Sequence, residues 1–426
     1  MRSSLIISNI GQLVTCASDG KPRRGRSMQD VGIIENAAVA VIDGNIAACG
    51  PSSEVVKAFN AEQSIDAGGR VVCPAFVDPH THIVFSGERF NEFELKIKGT
   101  EYLEILANGG GIISTVRQTR ESSLDELIER SGERLDKMLR SGTATVEIKT
   151  GYGLDVETEL KMLAAIELLD KRHAADIVPT FLAAHAIPPE FKDNADGYTD
   201  LICDEMLPKA WAWYKNSHFY NNVSFFADVF CEKNAFSLDQ SKRVLEASMA
   251  LGFKLKAHVD EFTNLGGSRL SIELGAVSID HLDVISDSEI EMLAGSNTIG
   301  IVTPTVNFNF GSSEFADARK LIDRGCAVAL STDFNPGSAP CPSQPMAMAI
   351  ACRYQKLLPS EALNAVTINA AHAVGLGDKI GSLEVGKQAD MLILASKDHR
   401  EIAYEFGGNL VDRIFKSGRD VSSTFK

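Results

Sequence analysis

Short apolar runs alternate with amphipathic segments through the middle of the chain. The amphipathic segments predict helices, most clearly over 123–141, where apolar side chains recur on one face and Gly142 follows as a C-terminal cap. Weaker helical patterns cover 162–169, 237–251, 286–293 and 314–323. The apolar runs predict eight strands, at 71–77, 144–149, 177–184, 225–231, 255–259, 277–281, 299–304 and 327–333. Eight strand–helix units predict the α/β class and a (β/α)8 TIM barrel over residues 68–378.

Both ends of the chain carry a different pattern, in which short strand-like runs are joined by tight turns. Strands are predicted at 5–10, 12–17, 37–42 and 46–50, and Asp43-Gly44-Asn45 is a hairpin signal. The C-terminal segment after about residue 378 has the same pattern and includes the apolar run 391–394. We therefore expect residues 1–67 and 379–426 to form one small β-sandwich domain beside the barrel.

A doubly wound open sheet is the alternative reading of the central pattern. It is disfavoured because no glycine-rich dinucleotide turn follows any predicted strand. The glycine-rich segment 108–111 follows a helix-like run instead, and we interpret it as a flexible loop near the site rather than a phosphate-binding turn.

Composition limits the classes of partner. The chain has 426 residues and a formal charge of −15, which argues against nucleic acid as a partner and means that an anionic ligand needs a local cation. No apolar run is long enough to span a membrane, and the N-terminus lacks a secretory pattern, so a cytoplasmic location is expected. The eight scattered cysteines are expected to be reduced thiols.

Histidines collect where the predicted barrel strands end, which is where TIM barrels carry their functional groups. The strand-end residues are His80 and His82 after the first run, His185 after the third, His258 after the fifth, His281 after the sixth and Asp333 after the eighth. The other four histidines are interpreted as structural or surface residues, at positions 173, 218, 372 and 399.

The spacing of His80 and His82 has a geometric meaning, because alternate side chains of a strand point to the same face. With His258 and Asp333 they supply three nitrogen donors and one oxygen donor. That donor set suits zinc and also iron, between which the sequence does not choose.

Several motifs resemble the metal-dependent amidohydrolase superfamily, among them PAFVDPHTH and STDFNPG. Further segments are similar to the imidazolonepropionase family: DPHTHIVFSGERFNEFELKIKGTEYLEILANGGGI, EIKTGYGLDVETELKML, FLAAHAIPPEF, KAHVDEF and DFNPGSAPCPSQPMAM. The similarity covers nearly the whole chain, and its most specific part is the run 80–111.

The resemblance implies hydrolysis of the ring C–N bond of 4-imidazolone-5-propanoate to N-formimidoyl-L-glutamate, in histidine degradation. It places metal ligands at His80, His82, His258 and Asp333. It places substrate contacts at Arg89, Tyr152, His185, Glu261, Asn335, Gly337 and Ser338, the last of which is threonine in several relatives. A homodimer is expected because it is common for such barrels.

The number of metal ions depends on a lysine. Some amidohydrolases bridge two metals with a modified lysine at the end of the fourth strand, but here Phe230-Cys231-Glu232 occupies that end and Lys149 ends the second strand. One divalent or trivalent ion per chain is therefore expected, as zinc or iron.

Candidate roles follow from the chemistry of the side chains. Asp333 and His281 can accept or hold the proton of water, and Glu261 can shuttle it. His185 can donate to the ring carbonyl, and the planar fork of Arg89 can bind the propionate. The sequence leaves open which of Glu261, His281 and Asp333 accepts the first proton. It also leaves two alternatives: an aromatic, nucleobase-type deaminase, and a non-catalytic scaffold.

Overall fold

Two β-sheets organise the chain in this computed structural model, which describes residues 1–99 and 110–425. The strands are β1 (Arg2–Val14), β2 (Ile33–Ile42), β3 (Asn45–Pro51), β4 (Asn60–Asp66), β5 (Val71–Pro74), β6 (Phe76–Asp78), β7 (Thr143–Lys149), β8 (Asp176–Ala184), β9 (Phe226–Cys231), β10 (Lys254–Leu255), β11 (His258–Val259), β12 (Ser278–His281), β13 (Ile299–Val302), β14 (Val328–Leu330), β15 (Met391–Leu394), β16 (Val411–Lys416) and β17 (Arg419–Asp420).

Helices connect most of these strands. The α-helices are α1 (Ser52–Ala58), α2 (Phe90–Ile97), α3 (Ile112–Glu121), α4 (Leu124–Arg140), α5 (Val156–Arg172), α6 (Ala195–Leu201), α7 (Leu207–Asn216), α8 (Leu238–Leu251), α9 (Gly267–Glu273), α10 (Asp287–Ala294), α11 (Pro304–Asn309), α12 (Ala318–Asp323), α13 (Gln344–Tyr354), α14 (Pro359–Ala365), α15 (Ile368–Ala373) and α16 (Glu401–Tyr404). Short 3-10 turns lie at Gly25–Gln29, Pro189–Phe191 and Ser422–Phe425, and a short π-helix lies at Ile202–Met206. Within the described ranges, no helix combines the length and the apolar character that a membrane span requires.

The central sheet is parallel and curls into a barrel. Its order is β14-β13-β12-β11-β9-β8-β7-β6, and β10 pairs with β9. The two ends of this order meet, because Thr81 forms a parallel bridge with Phe334 and the His82 N–H donates to the Phe334 carbonyl at 2.9 Å. This closure confirms the predicted TIM barrel over the open-sheet alternative, and it brings the first and eighth strand ends together.

The second sheet is mixed and takes strands from both chain termini. Its order is β17-β16-β15-β5-β1-β2-β3, and β4 pairs with the first half of β1. Apolar residues from both termini pack in its core, including Ile7, Leu13, Val39, Met391 and Phe415. The predicted contribution of both termini to one β unit is therefore confirmed. The exact division into residues 1–67 with 379–426 and residues 68–378 stays a prediction.

The apolar run 71–77 is two strands rather than the single barrel strand predicted. β5 pairs with β1 and β15 in the terminal sheet, whereas β6 pairs with β7 in the barrel. The switch occurs at Ala75, whose N–H donates to the Asp390 carbonyl, while the next N–H, of Phe76, donates to the Gly142 carbonyl. An unbroken buried run carries no signal that tells one sheet from the other.

Capping residues set the helix boundaries. Ser123 and Glu126 form a capping box at the start of α4, as the pattern at 123–141 predicts. The predicted helix at 314–323 is shorter, because the Asp317 side chain accepts the Lys320 N–H and α12 begins only at Ala318. Gly142 has a φ of 94°, and a Cβ there would lie 2.8 Å from Leu392 Cδ1, so glycine allows the barrel to approach the terminal sheet.

Candidate metal centre and active site

Three imidazole rings converge at the C-terminal mouth of the barrel. His80 and His82 follow β6, and His258 begins β11. The Nε2 atoms of His80 and His82 are 3.3 Å apart, and the Nε2 atoms of His82 and His258 are 3.4 Å apart. All three side chains are buried. These distances show that the fold brings together the three histidines that the sequence analysis grouped.

Carboxylates behind the rings decide which nitrogen faces the centre. The Nδ1 of His80 donates to Asp280 Oδ2 at 2.6 Å, and the Nδ1 of His258 donates to Asp228 Oδ1 at 3.1 Å. Because the Nδ1 atoms hold the protons, the Nε2 atoms present lone pairs to one another. Burial keeps the pKa of His80 well below its usual range, which favours the neutral ring that binds metals.

Asp333 adds a carboxylate to this cluster. Its Oδ1 lies 3.5 Å from His80 Nε2 and 3.4 Å from His82 Nε2, and this buried oxygen receives no hydrogen bond from the described residues. Burial raises the pKa of Asp333 to about 7. An orphaned oxygen facing converging nitrogen lone pairs is what a bound cation would satisfy, so the donor set fits a zinc or iron ion.

The backbone around Asp333 is held by hydrogen bonds that lead to Asp78 of β6. Asp333 has a φ of 47°, in the left-handed region that side-chain-bearing residues rarely adopt. Its N–H donates to Ser331 Oγ at 3.0 Å, and that hydroxyl donates to Asp78 Oδ1 at 2.6 Å. Asp78 therefore stabilises the turn that presents Asp333.

His281 and Glu261 lie on the side of the centre formed by the fifth and sixth strands. A buried His281 Nε2 has no hydrogen-bond partner among the described residues and lies 3.9 Å from Glu261 Oε2. Donor atoms of His80, His281 and Asp333 all lie within 4.8 Å of one another. Burial, with Asp333 nearby, raises the pKa of Glu261 well above its usual range. The three candidate proton acceptors therefore share one region.

His185 and Tyr152 form a wall beside His82. The His185 ring stacks on His82 with a centroid distance of 4.9 Å, and Tyr152 lies 5.4 Å from His185. Burial lowers the pKa of His185 to about 3. Its Nδ1 lies 3.0 Å from the Gly151 carbonyl and must donate to it, so the neutral ring offers Nε2 as an acceptor. The donor role suggested by the sequence would require a second proton on this ring.

The loop after the eighth strand is organised by Asn335. The Asn335 Oδ1 accepts the N–H groups of Gly337 and Ser338 at 2.8 and 2.7 Å, and its Nδ2 donates to the Asp333 carbonyl at 2.8 Å. Asn335 is predicted to contact substrate, yet its side chain is engaged within this loop.

Arg89 directly precedes α2, and its side chain lies against the same loop. Its Nε and Nη2 are 2.8 and 2.7 Å from Glu92 Oε2, and a Cβ at Gly337 would lie 2.0 Å from its Nη1. Glu92 also accepts the N–H of Gly111 at 2.9 Å. The predicted glycine-rich loop can be followed only from Gly110, since its residues 108 and 109 lie outside the described residues. Among the described residues, the Arg89 guanidinium is paired with Glu92 alone, so its Nη1 edge has no hydrogen-bond partner there.

Residues that the sequence did not single out support the ligands from behind. They are buried charged residues on barrel strands: Asp78, Glu147, Asp228 and Asp280. The available signal was a single charged residue inside an otherwise apolar run, as in Phe226–Cys231. A charged residue is unusual in a buried strand, and it needs a buried partner.

Comparison with known proteins agrees with this geometry. Residues 232–421 match the Amidohydrolase family model. The chain is 51% identical over 418 residues to an imidazolonepropionase from Chloroflexus aggregans, with 98% of each chain covered, and 46% identical over 424 residues to one from Alkaliphilus oremlandii, with 99% and 98% covered.

Solved structures share the fold at low identity. An adenosine deaminase from Xanthomonas campestris with bound zinc has a TM-score of 0.71 at 19% identity, over 98% of this chain and 93% of that one. Guanine deaminase from E. coli has a TM-score of 0.71 at 16% identity, over 98% of both chains. These likenesses support the fold alone, whereas the full-length identities above identify the family. The chain belongs to the imidazolonepropionase family.

Proposed function

We propose that the chain hydrolyses 4-imidazolone-5-propanoate to N-formimidoyl-L-glutamate, a step of histidine degradation. In a chain of this family, the observation that carries the proposal is the convergence of three imidazole Nε2 atoms with Asp333 Oδ1 at the barrel mouth. The water oxygen adds to the ring carbonyl carbon, the bond from that carbon to the ring nitrogen breaks, and the nitrogen takes up a proton.

We propose that His80, His82, His258 and Asp333 hold one metal ion, zinc or iron. Such an ion, when bound, lowers the pKa of water and polarises a carbonyl oxygen. The single-ion count is supported by Lys149, since its Nζ is engaged by Glu147 and Asp228 at 2.8 Å each, and by the fourth strand, Phe226–Cys231, which contains no lysine.

Proton transfer is assigned to the acidic side of the centre. Glu261, with its raised pKa and its carboxylate 3.9 Å from His281, can accept a proton from water and deliver it to the leaving ring nitrogen. Asp333 and His281 lie close enough to share that proton. Delivery to the nitrogen makes it a neutral leaving group, so the ring opens without expelling an amide anion.

Substrate orientation is assigned to Arg89, Tyr152 and His185. The Nη1 edge of Arg89, which has no hydrogen-bond partner among the described residues, lies beside Gly337 in the loop that also contains Ser338. This edge is the proposed site for the propionate carboxylate, which a nucleobase substrate would lack. Tyr152 and the stacked His185 supply an aromatic wall for the planar ring. Neutral His185 can accept a hydrogen bond from a ring N–H, and Asn335 acts by holding the loop that contains Gly337.

The oligomeric state, the cellular location and the domain bounds are also proposals. We propose that it works as a homodimer in the cytoplasm, with the residues 1–67 and 379–426 forming one unit beside the barrel of residues 68–378. Sedimentation of the purified chain tests the dimer, and a monomer at assay concentration would contradict it.

The direct test of function is a coupled measurement of substrate and product. Purified chain loaded with zinc or with iron is expected to consume 4-imidazolone-5-propanoate and release one N-formimidoyl-L-glutamate per substrate, measured by mass spectrometry. His258→Ala should lose both metal and turnover. Absence of product from both metal-loaded forms would reject the proposal.

A further inference from the structure

One buried ammonium group, that of Lys149, faces three carboxylates behind the metal ligands proposed above. Lys149 ends β7 and is fully buried. Its Nζ lies 2.8 Å from Glu147 Oε1, 2.8 Å from Asp228 Oδ2 and 3.7 Å from Asp280 Oδ2. Burial alone would lower the pKa of Lys149, but these carboxylates raise it above its usual value. The lysine therefore remains a cation inside the barrel.

Each of the three carboxylates supports a different part of the ligand set. The contacts are His80 Nδ1 to Asp280 Oδ2 at 2.6 Å, His258 Nδ1 to Asp228 Oδ1 at 3.1 Å, and the Thr81 N–H to Glu147 Oε2 at 3.2 Å. Thr81 is the residue between His80 and His82, and its hydroxyl also donates to the Glu147 carbonyl at 2.6 Å. Lys149 thus contacts all three of these carboxylates, two of which hold the rings of His80 and His258.

We propose that Lys149 is a positioning residue for the metal centre, whose charge holds three converging carboxylates so that the histidine Nε2 atoms point to one place. Like charges brought together in a buried site repel strongly unless a counter-charge lies between them. Without the ammonium, the carboxylates cannot all keep these positions, and the rings that they orient must turn. This inference rests on the proposed ligand set and extends it to a residue behind the site.

Lys149→Met tests the inference, because methionine is similar in length and carries no charge. The zinc dissociation constant, from competition with a chromophoric chelator, is expected to rise 10- to 100-fold, as for loss of groups that orient metal ligands. The visible spectrum of the cobalt-substituted variant should also change, because it reports the geometry of the ligands.

Lys416→Met is the matched control. Lys416 is also a buried lysine between two carboxylates, at 2.6 Å from Asp176 Oδ2 and 2.5 Å from Asp390 Oδ2, but it lies in the terminal sheet. Its loss should lower thermal stability and leave the zinc dissociation constant and the cobalt spectrum unchanged. Loss of a buried ion pair in general is thereby separated from loss of ligand positioning.

A second variant covers the case in which Lys149→Met does not fold. Lys149→Met/Glu147→Gln removes one positive and one negative charge, so the net charge of the cluster is preserved. Its zinc dissociation constant is compared with that of Glu147→Gln alone, and it should be at least tenfold higher. Equal constants would overturn the inference.

The outcomes separate this inference from the metal proposal itself. If wild type and Lys416→Met bind zinc but Lys149→Met binds it equally well or more tightly with an unchanged cobalt spectrum, only the positioning role is rejected. Tighter binding would show that the ammonium acts as a repelling charge. If the wild-type chain binds neither zinc nor cobalt, the ligand set is wrong and the role of Lys149 falls with it.

Discussion

The Nδ1 of His80 donates to Asp280 Oδ2 at 2.6 Å, with both side chains fully buried. This contact fixes the proton on Nδ1 and leaves the Nε2 lone pair for the centre. It also fixes the ring plane, because the imidazole can satisfy the carboxylate in only one orientation. The orientation and tautomer of a proposed metal ligand are thus set by a residue that lies behind it in the barrel.

Asp280→Asn is predicted to weaken metal binding. An amide can present its NH2 group to His80 Nδ1 and so favour the wrong ring tautomer, and its neutral oxygen is a weaker acceptor. We expect a 10- to 100-fold rise in the zinc dissociation constant with the fold retained. Asp412→Asn, at a partly exposed pair with Arg70, is the control that should leave zinc binding unchanged. Unaltered binding in Asp280→Asn would contradict the role given to this contact.

The barrel and the histidine cluster could be predicted because their signals are local. A strand shows its burial in a run of apolar residues, and the spacing of His80 and His82 places both rings on one face. The C-terminal ends of the strands in a closed parallel barrel meet at one mouth. The positions of His258 and Asp333 at strand ends were therefore enough to predict that they lie near His80 and His82.

The remaining features depend on partners that are distant in sequence. Asp280 is 200 residues from His80, and nothing near either residue in the sequence indicates their contact. The division of the run 71–77 depends on β1 and on β15, and β15 lies more than three hundred residues further along the chain. The engagement of Asn335 within its own loop depends on the turn adopted there, which the motif letters do not specify.

Arg89→Ala is predicted to raise KM far more than it lowers kcat. A charge-assisted hydrogen bond to the propionate contributes about 1.5–3 kcal/mol, which corresponds to roughly a 10- to 100-fold rise in KM. Lys98→Ala is the control. Lys98 lies at the other end of α2, exposed and paired with Glu94, so its loss should leave KM unchanged. A variant that lowers kcat alone would show that Arg89 does not bind the substrate carboxylate.

Glu261→Gln is predicted to retain the metal and lose turnover. The amide occupies the same space but cannot carry a proton from water to the ring nitrogen, so kcat should fall about 10²- to 10⁴-fold. Zinc content by mass spectrometry should match the wild type, because Glu261 is outside the proposed ligand set. Glu246→Gln, an exposed glutamate on α8, is the matched control. Full activity in Glu261→Gln would remove this residue from the proton path.

Gly337→Ala is predicted to displace Arg89 and thereby raise KM at least tenfold. The added Cβ would lie 2.0 Å from Arg89 Nη1 and 2.5 Å from its Cζ, so the guanidinium must move away from the loop that presents Ser338. Stability should change little, since the colliding group is the end of a flexible side chain. Gly50→Ala, where a Cβ would meet nothing within 4 Å, should behave as the wild type in both KM and melting temperature. Equal KM values for Gly337→Ala and the wild type would show that the position of Arg89 against Gly337 does not matter for substrate binding.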